Sequence, residues 1–408
     1  MQTSLTPETL RSAEGREADA ILRACVHCGF CTATCPTYRL LGDELDGPRG
    51  RIYLIKQVLE GHAPTHRTQR HLDRCLTCRA CETTCPSGVR YARLADIGRG
   101  VVERAVGRRP WEALVRRLLR ATVPHPRRFG PLLRLGQLAA PLLPAALRRH
   151  VPARRPAGAW PPARHRRRML VLEGCVQRAA TPETNAAAAR VLDRLGISLV
   201  RVSGAGCCGA MSHHLAATAE AHAFMRRNVD AWWPEVEAGA EAIVITASGC
   251  GSVVKEYGEL LREDPAYATR AARIAALARD LSEVIAREDL STLEGIGRGR
   301  RVAFHSPCSL QHGQRLAGAV EALLARLGFE LTPVPDAHLC CGSAGTYSIL
   351  QPTLSTRLLA DKVAALEGGA PAVVATANVG CQLHLASAAR SPVRHWIELL
   401  DGPSPRGG

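Results

Sequence analysis

The first residues whose types and spacing could do chemistry are Cys25-Val26-His27-Cys28-Gly29-Phe30-Cys31-Thr32-Ala33-Thr34-Cys35-Pro36. Fifty residues on comes an echo, Cys75-Leu76-Thr77-Cys78-Arg79-Ala80-Cys81-Glu82-Thr83-Thr84-Cys85-Pro86. Both read C-x2-C-x2-C-x3-C-P. Three thiolates at i, i+3 and i+6 can wrap one face of an iron-sulfur cubane, while the fourth, released by a turn and followed by Pro, points toward a second cluster. Two such runs imply two 4Fe-4S clusters. In the crossed arrangement usual for this spacing, Cys25, Cys28, Cys31 and Cys85 hold one cluster and Cys75, Cys78, Cys81 and Cys35 the other. Structural zinc prefers separated C-x2-C pairs giving four ligands, which leaves the third and fourth Cys of each run unexplained. His27, between ligands, reads as a solvent-facing loop residue.

The other eight cysteines form two matching sets at strand ends. Cys175 closes the apolar run Met169-Leu170-Val171-Leu172, Cys207 and Cys208 stand in Gly206-Cys207-Cys208-Gly209, and Cys250 follows the run Ala242-Ile243-Val244-Ile245-Thr246. Cys308, Cys340, Cys341 and Cys381 repeat the pattern after Arg301-Val302-Ala303-Phe304-His305 and Ala372-Val373-Val374-Ala375-Thr376. The first Cys precedes the Cys-Cys pair by 32 positions in both sets, and the pair precedes the last Cys by 42 and 40. This is an internal duplication of a β/α unit. Parallel β/α units gather their ligands at the carboxyl ends of the strands, so each set is a candidate for a further cluster.

The elements that must position these residues follow from periodicity and breakers. Residues 1–24 predict a helix with Ala18, Ile21 and Leu22 on one face, and 51–60 a second helix ending at Gly61. Between Trp111 and Leu147 the pattern predicts two short amphipathic helices, Trp111 to Leu119 and Pro131 to Leu147, broken by Pro124, Pro126, Pro141 and Pro144. In the repeats, helices are expected over 185–195, from about His213 to Trp232, up to Leu327 and over 353–366, with further strands over 197–202 and 330–334. The sum is an α+β chain. An α-helical di-cluster ferredoxin-like domain spans 1–105, a basic Pro/Arg-rich linker 106–168, and a duplicated α/β domain the rest, its two Cys-Cys-Gly repeats covering 169–290 and 291–408.

The net charge of +16 is localised. Between Arg104 and Arg168 stand 17 Arg and one acid, Glu112, and the remainder of the chain balances. A basic surface studded with Leu and Trp could lie on an anionic membrane or grip an acidic partner; no aromatic interleaving or reader motif points to nucleic acid. Arg49, Arg51 and Lys56 could offset the negative charge of thiolate-bound clusters. Met1-Gln2-Thr3-Ser4 leads into a polar segment with no apolar signal core, and sixteen Cys without one point to a reducing compartment. The expected location is cytoplasmic, with peripheral contact at the cytoplasmic face of the inner membrane as one reading of the basic segment. No dinucleotide loop is found: Gly295-Ile296-Gly297-Arg298-Gly299 precedes a strand, where such a loop must follow one.

Cys-Cys-Gly repeats behind two ferredoxin-type runs resemble the iron-sulfur subunits of glycolate oxidase, with relatives in anaerobic glycerol-3-phosphate dehydrogenase, lactate-oxidising complexes and heterodisulfide reductase. The glycolate oxidase branch is favoured by Gly47-Pro48-Arg49-Gly50-Arg51-Ile52-Tyr53-Leu54-Ile55-Lys56, by the second cysteine run continued as Ser87-Gly88-Val89, and by Gly380-Cys381-Gln382-Leu383-His384. The resemblance implies an electron-relay subunit whose flavin-bearing (FAD) partner subunits oxidise glycolate to glyoxylate, with a quinone or another acceptor downstream and no catalytic residue in this chain. The alternatives are a relay for glycerol-3-phosphate or D-lactate dehydrogenase, or a thiol-disulfide reductase of the heterodisulfide type. One departure matters. In heterodisulfide reductase each repeat site ends in C-x2-C and supplies five thiolates. Here the endings are Cys250-Gly251-Ser252-Val253 and Cys381-Gln382-Leu383-His384, so disulfide chemistry is in doubt and His384 becomes a candidate fifth ligand.

Overall fold

The computed structural model describes residues 1–402 of the 408. Helices alone occupy the chain as far as Arg148, and strands begin at Arg167. The N-terminal helices pack around one core. Ile52, Ile55 and Leu59 of the helix Pro48–Leu59 meet Leu94, Ile97 and Val102 of the helix Tyr91–Val106, together with Ala18, Ile21 and Leu22. Gly98 is required at that crossing, because a Cβ there would stand 2.6 Å from Ile55. The single helix expected over 1–24 is two, Pro7–Arg11 and Ala13–Ala24. Ser12 divides them: its extended backbone ends the first, and its side chain caps Gly15 N of the second.

Two four-stranded parallel sheets follow. The first comprises β1 (Arg167–Val171), β2 (Ile197–Arg201), β3 (Ile243–Ile245) and β4 (Ala278–Asp280) in the order β2-β1-β3-β4. The second comprises β5 (Arg301–His305), β6 (Glu330–Leu331), β7 (Val373–Thr376) and β8 (Val393–His395) in the order β6-β5-β7-β8. The registers correspond: β1 sets Leu170 against Ile243, and β5 sets Val302 against Val373. The duplication read from cysteine spacing is thus a duplication of topology. The buried stretches of the central strands, Met169 to Val171, Ile243 to Ile245, Val302 to Phe304 and Val374 to Ala375, are apolar, as strand residues covered on both faces must be.

The two sheets share a core. Leu192, Leu281, Ile285, Phe304, Leu324, Trp396 and Ile397 are buried together between them. Polar links cross the same boundary, with Ser248 N donating to Ala377 O at 3.0 Å and His395 Nε2 lying 2.8 Å from Thr246 O. Within 295–299, Gly297 has a packing role, since a Cβ there would stand 2.3 Å from the Phe329 ring.

Several local expectations are corrected. The helix expected from His213 to Trp232 is a short helix Ala210–His214 and a long one Thr218–Glu237, parted at Ala216 with φ 59°. The strand expected over 330–334 ends at Leu331, where Pro333 can give no ladder N–H. The second linker helix begins at Pro126, not Pro131, and carries Pro131 inside its first turns. Strands β4 and β8, three residues each, had no alternation long enough to read.

Candidate metal centres

All sixteen cysteines are free thiols. The ferredoxin-type loops fold alike: His27 and Gly29 in one, and Thr77 and Arg79 in the other, take positive φ of 57°, 86°, 52° and 64°. The left-handed residues curl each loop so that backbone N–H groups turn toward sulfur; Thr77 N donates to Cys75 Sγ at 3.4 Å. Two cavities result. Cys25, Cys28, Cys31 and Cys85 line the first, with Cys81 and Tyr91 in its inner wall. Cys35, Cys75, Cys78 and Cys81 line the second, again with Tyr91. The fourth cysteine of each run crosses to the other run's loop, because the short helices Phe30–Ala33 and Ala80–Thr83 turn the chain between third and fourth Cys.

Burial pushes Cys78 and Cys81 of the second cavity well up, and single thiols elsewhere depart in both directions. Cys31 is pushed up to about 11 by burial and then by the neighbouring Cys25. Cys75 is held below the usual thiol range although burial opposes it, because Arg51 and Arg99 stand beside it. Arg51 is 1% exposed and anchored by His71 O at 2.7 Å, Thr37 Oγ1 at 3.1 Å and Asp46 at 3.5 Å. Of the three cations read as offsetting cluster charge, Arg51 therefore sits at the second cavity and Arg49 lines the first. Lys56 does neither, being paired with Glu60 at 2.6 Å. Tyr91 was missed by sequence reasoning: its hydroxyl donates to Cys75 Sγ at 3.5 Å, and nothing in a lone Tyr at a helix start gives that away.

In the first repeat the thiols form a chain. Cys207 faces Cys175 and Cys208, and Cys208 faces Cys250. The Cys207 thiol is held well below its usual range, first by Cys175 and Cys208 and also by the N–H of Gly209, which donates at 3.4 Å. Buried Tyr257 and Asn228 fix the loop, through Tyr257 Oη to Cys208 O at 2.8 Å and Asn228 Nδ2 to Cys207 O at 2.9 Å. In the second repeat Cys308 and Cys340 sulfurs lie 3.8 Å apart, Cys340 meets Cys341, and Cys341 meets Cys381. Gly209 and Gly342 follow the two Cys-Cys pairs with φ of 88° and 87°, and a Cβ on Gly342 would stand 2.7 Å from Ser355 O. Only Gly allows that close approach.

His384 does not face these thiols; its Nε2 lies 3.1 Å from Ser355 Oγ. Buried His305 does, within 4.8 Å of the Cys341 and Cys381 sulfurs. Burial, with Lys362 and His384 nearby, lowers its pKa to about 3. The second ferredoxin-type cavity adjoins this repeat, since Leu76 and Cys78 pack with Cys308, Cys340, Tyr347 and Leu358. Thiol groups of this density, close to cations and backbone donors, suit inorganic iron and sulfide better than a single hard cation.

Comparison with known proteins agrees. Residues 21–89 match the family model described as a 4Fe-4S dicluster domain, and residues 169–255 and 302–386 the one described as a cysteine-rich domain. The glycolate oxidase iron-sulfur subunit of Escherichia coli (strain K12) is 58% identical over 402 residues, covering 98% of each chain. The probable glycolate oxidase iron-sulfur subunit of Bacillus subtilis (strain 168) is 30% identical, covering 88% of this chain and 87% of that one. Lactate utilization protein A of Bacillus licheniformis is 30% identical over 49% of this chain and 82% of its own. With its cysteine sets, duplicated sheets and near full-length identity in place, this chain belongs to the family of glycolate oxidase iron-sulfur subunits.

Proposed function

We propose that this chain relays electrons one at a time from a flavin-bearing partner subunit that oxidises glycolate to glyoxylate, delivering them toward a quinone or another acceptor. Cys25, Cys28, Cys31 and Cys85 would hold one 4Fe-4S cluster and Cys35, Cys75, Cys78 and Cys81 another. Cys175, Cys207, Cys208 and Cys250, and Cys308, Cys340, Cys341 and Cys381, would hold further clusters. The observation that carries this reading is the contiguity of sulfur. The first two cavities share Cys81 and Tyr91 as a wall, and Cys78 packs against Cys308. A line of cofactors placed wall to wall is what a relay requires. When bound, the clusters supply one-electron redox chemistry; the chain's own residues hold them, exclude water and set their charge balance through Arg51, Arg99 and Tyr91.

The basic segment gives the complex its place. Arg108, Arg116, Arg120, Arg164, Arg167 and Arg168 are spent on ion pairs with Asp73, Glu103, Glu220, Asp193, Glu241, Glu288 and Glu235. Among the described residues no ion pair involves Arg117, Arg127, Arg128, Arg134, Arg148 or Arg149. They share their helices with exposed Leu118, Leu135, Leu138 and Leu147. Unpaired cations beside exposed apolar side chains suit peripheral contact with an anionic bilayer. No helix among the described residues is long and apolar enough to cross one.

The test is anaerobic purification of the chain with its partner subunits. Iron, acid-labile sulfide and EPR signals are counted, then dye reduction is followed with glycolate, D-lactate and glycerol 3-phosphate in turn. Glycolate-dependent reduction of the EPR-active centres is expected; a colourless preparation, or turnover of another substrate alone, defeats the reading.

A further inference from the structure

The second repeat holds an imidazole that its cysteine pattern does not announce. His305 ends β5 three residues before Cys308 and is 2% exposed. Its Nδ1 lies 2.9 Å from Thr376 Oγ1, and its Nε2 has no hydrogen-bond partner among the described residues. A ring nitrogen of His305 and the sulfurs of Cys341 and Cys381 all lie within 4.8 Å of one another. A buried ring nitrogen without a partner carries its full desolvation cost, and a metal lone-pair acceptor would remove that cost.

A neutral imidazole donates from one nitrogen and accepts at the other. With Nδ1–H given to Thr376 Oγ1, Nε2 carries the lone pair and is the nitrogen left for a metal. Metal-ligating histidines are held in this way, the far N–H fixed by a partner that sets tautomer and ring orientation. Ligand atoms on one metal ion stand roughly 3.5–4 Å apart, given metal–sulfur and metal–nitrogen bonds of about 2.3 and 2.0 Å, a spacing compatible with the limit seen here. We propose that His305 Nε2 is a ligand of the iron-sulfur centre held by Cys308, Cys340, Cys341 and Cys381. The proposal rests on the reading that those cysteines hold a cluster.

The first repeat has no counterpart. Leu172 stands three residues before Cys175, where His305 stands before Cys308. The threonine is kept in both repeats, Thr246 matching Thr376 at the end of the third strand's apolar run, but in the first repeat its hydroxyl turns to Gln177 and Asn185. One centre is therefore bound by thiolates alone and the other by thiolates and an imidazole. Duplicated sites with different ligands hold their electrons at different potentials, since ligand charge and hydrogen bonding set the potential of such clusters.

The test is pulsed EPR of the full chain, purified anaerobically with natural-abundance or 15N-labelled histidine. One reduced centre should show the nitrogen coupling of a directly bound imidazole, changing with the isotope. His305→Leu should abolish that coupling and shift the midpoint potential of that centre alone, leaving the signals of the two N-terminal clusters in place as the control for folding. His305→Gln, which retains a polar side chain, should lose the coupling as well. Coupling that persists in both variants overturns the proposal, as does iron well above the about eight atoms of two 4Fe-4S clusters with no histidine coupling at any centre. Iron of about eight atoms, with the second-repeat cysteines empty or holding zinc, instead overturns the cluster reading itself and this ligand with it.

Discussion

Tyr91 and Arg51 show how single side chains set the second ferredoxin-type cavity. The Tyr91 hydroxyl points at Cys75 Sγ, and a donor to sulfur stabilises the reduced, more negative cluster more than the oxidised one. Tyr91→Phe should lower the midpoint potential of one N-terminal cluster in an EPR-monitored titration, with about 1 kcal/mol lost from stability. Arg51 is a heavier case. It is fully enclosed and joins Asp46, Thr37 and the backbone of His71 beside Cys75 and Cys35. Arg51→Met removes one partner of a buried charge, which typically costs about 3–5 kcal/mol. Iron content and a denaturant midpoint measured on the same anaerobic sample should fall together; an unchanged midpoint would refute the role given to this residue.

At the scale of elements, the helix Tyr91–Val106 is tied to the helix Ala210–His214 through Asp96, which lies 3.1 Å from His213 Nε2 and 3.6 Å from His214 Nδ1. Burial opposes both charges, yet Asp96 is held well below the usual carboxylate range by His213, and His213 is raised above 6.5 by Asp96, with Arg93 and Glu256 acting in opposite senses nearby. The raised histidine contributes stability that is complete below its unfolded pKa and is lost as pH climbs through the raised one. The depressed carboxylate contributes above its unfolded pKa and is lost only in strong acid. Docking of the helical domain on the first repeat should thus be firmest between about pH 4 and 6.5 and should weaken toward alkaline pH. Thermal melts of wild type should show that alkaline slope, and His213→Gln should flatten it. The Cys-Cys-Gly loops make a second prediction at this scale. Gly342→Ala meets both a left-handed φ and Ser355 O at 2.7 Å, so it should cost roughly 1–3 kcal/mol and reduce iron bound by the second repeat, while the ferredoxin-type EPR signals persist.

For the molecule as a whole, the basic segment between the cysteine loops and the sheets is where exposed apolar side chains gather. The helices Pro110–Thr122 and Pro126–Ala139 expose Trp111, Leu118, Leu132, Leu135 and Leu138. Exposed apolar groups of this number mark an interaction surface. Vesicles containing anionic lipid should co-sediment the chain at low salt, with binding falling steeply as salt rises past about 0.15 M. Leu135→Glu with Leu138→Glu should abolish it without touching the clusters. Binding that is indifferent to lipid charge would assign the surface to a protein partner instead.

Much of this was legible in the chain itself, because metal ligation and left-handed turns demand particular residues at particular offsets. Two C-x2-C-x2-C-x3-C-P runs, the 32-residue interval repeated before each Cys-Cys pair, and the Gly after each pair determined the composition of the sites and the duplicated α/β architecture. Helix faces such as Ala18, Ile21 and Leu22 were equally readable from a period of 3.6. What tertiary structure alone decided was which side chains outside the motifs reach the sulfur. His384, three residues after Cys381, turns away to Ser355, while His305, 79 positions before it in the chain, is carried to Cys341 and Cys381 by the pairing of β5 with β7. Tyr91 and Arg51 likewise reach Cys75 through helix packing. The physical reason is that ligand spacing within one loop is set by local backbone geometry, whereas contacts between loops depend on sheet order, register and the shared core, which no local pattern encodes.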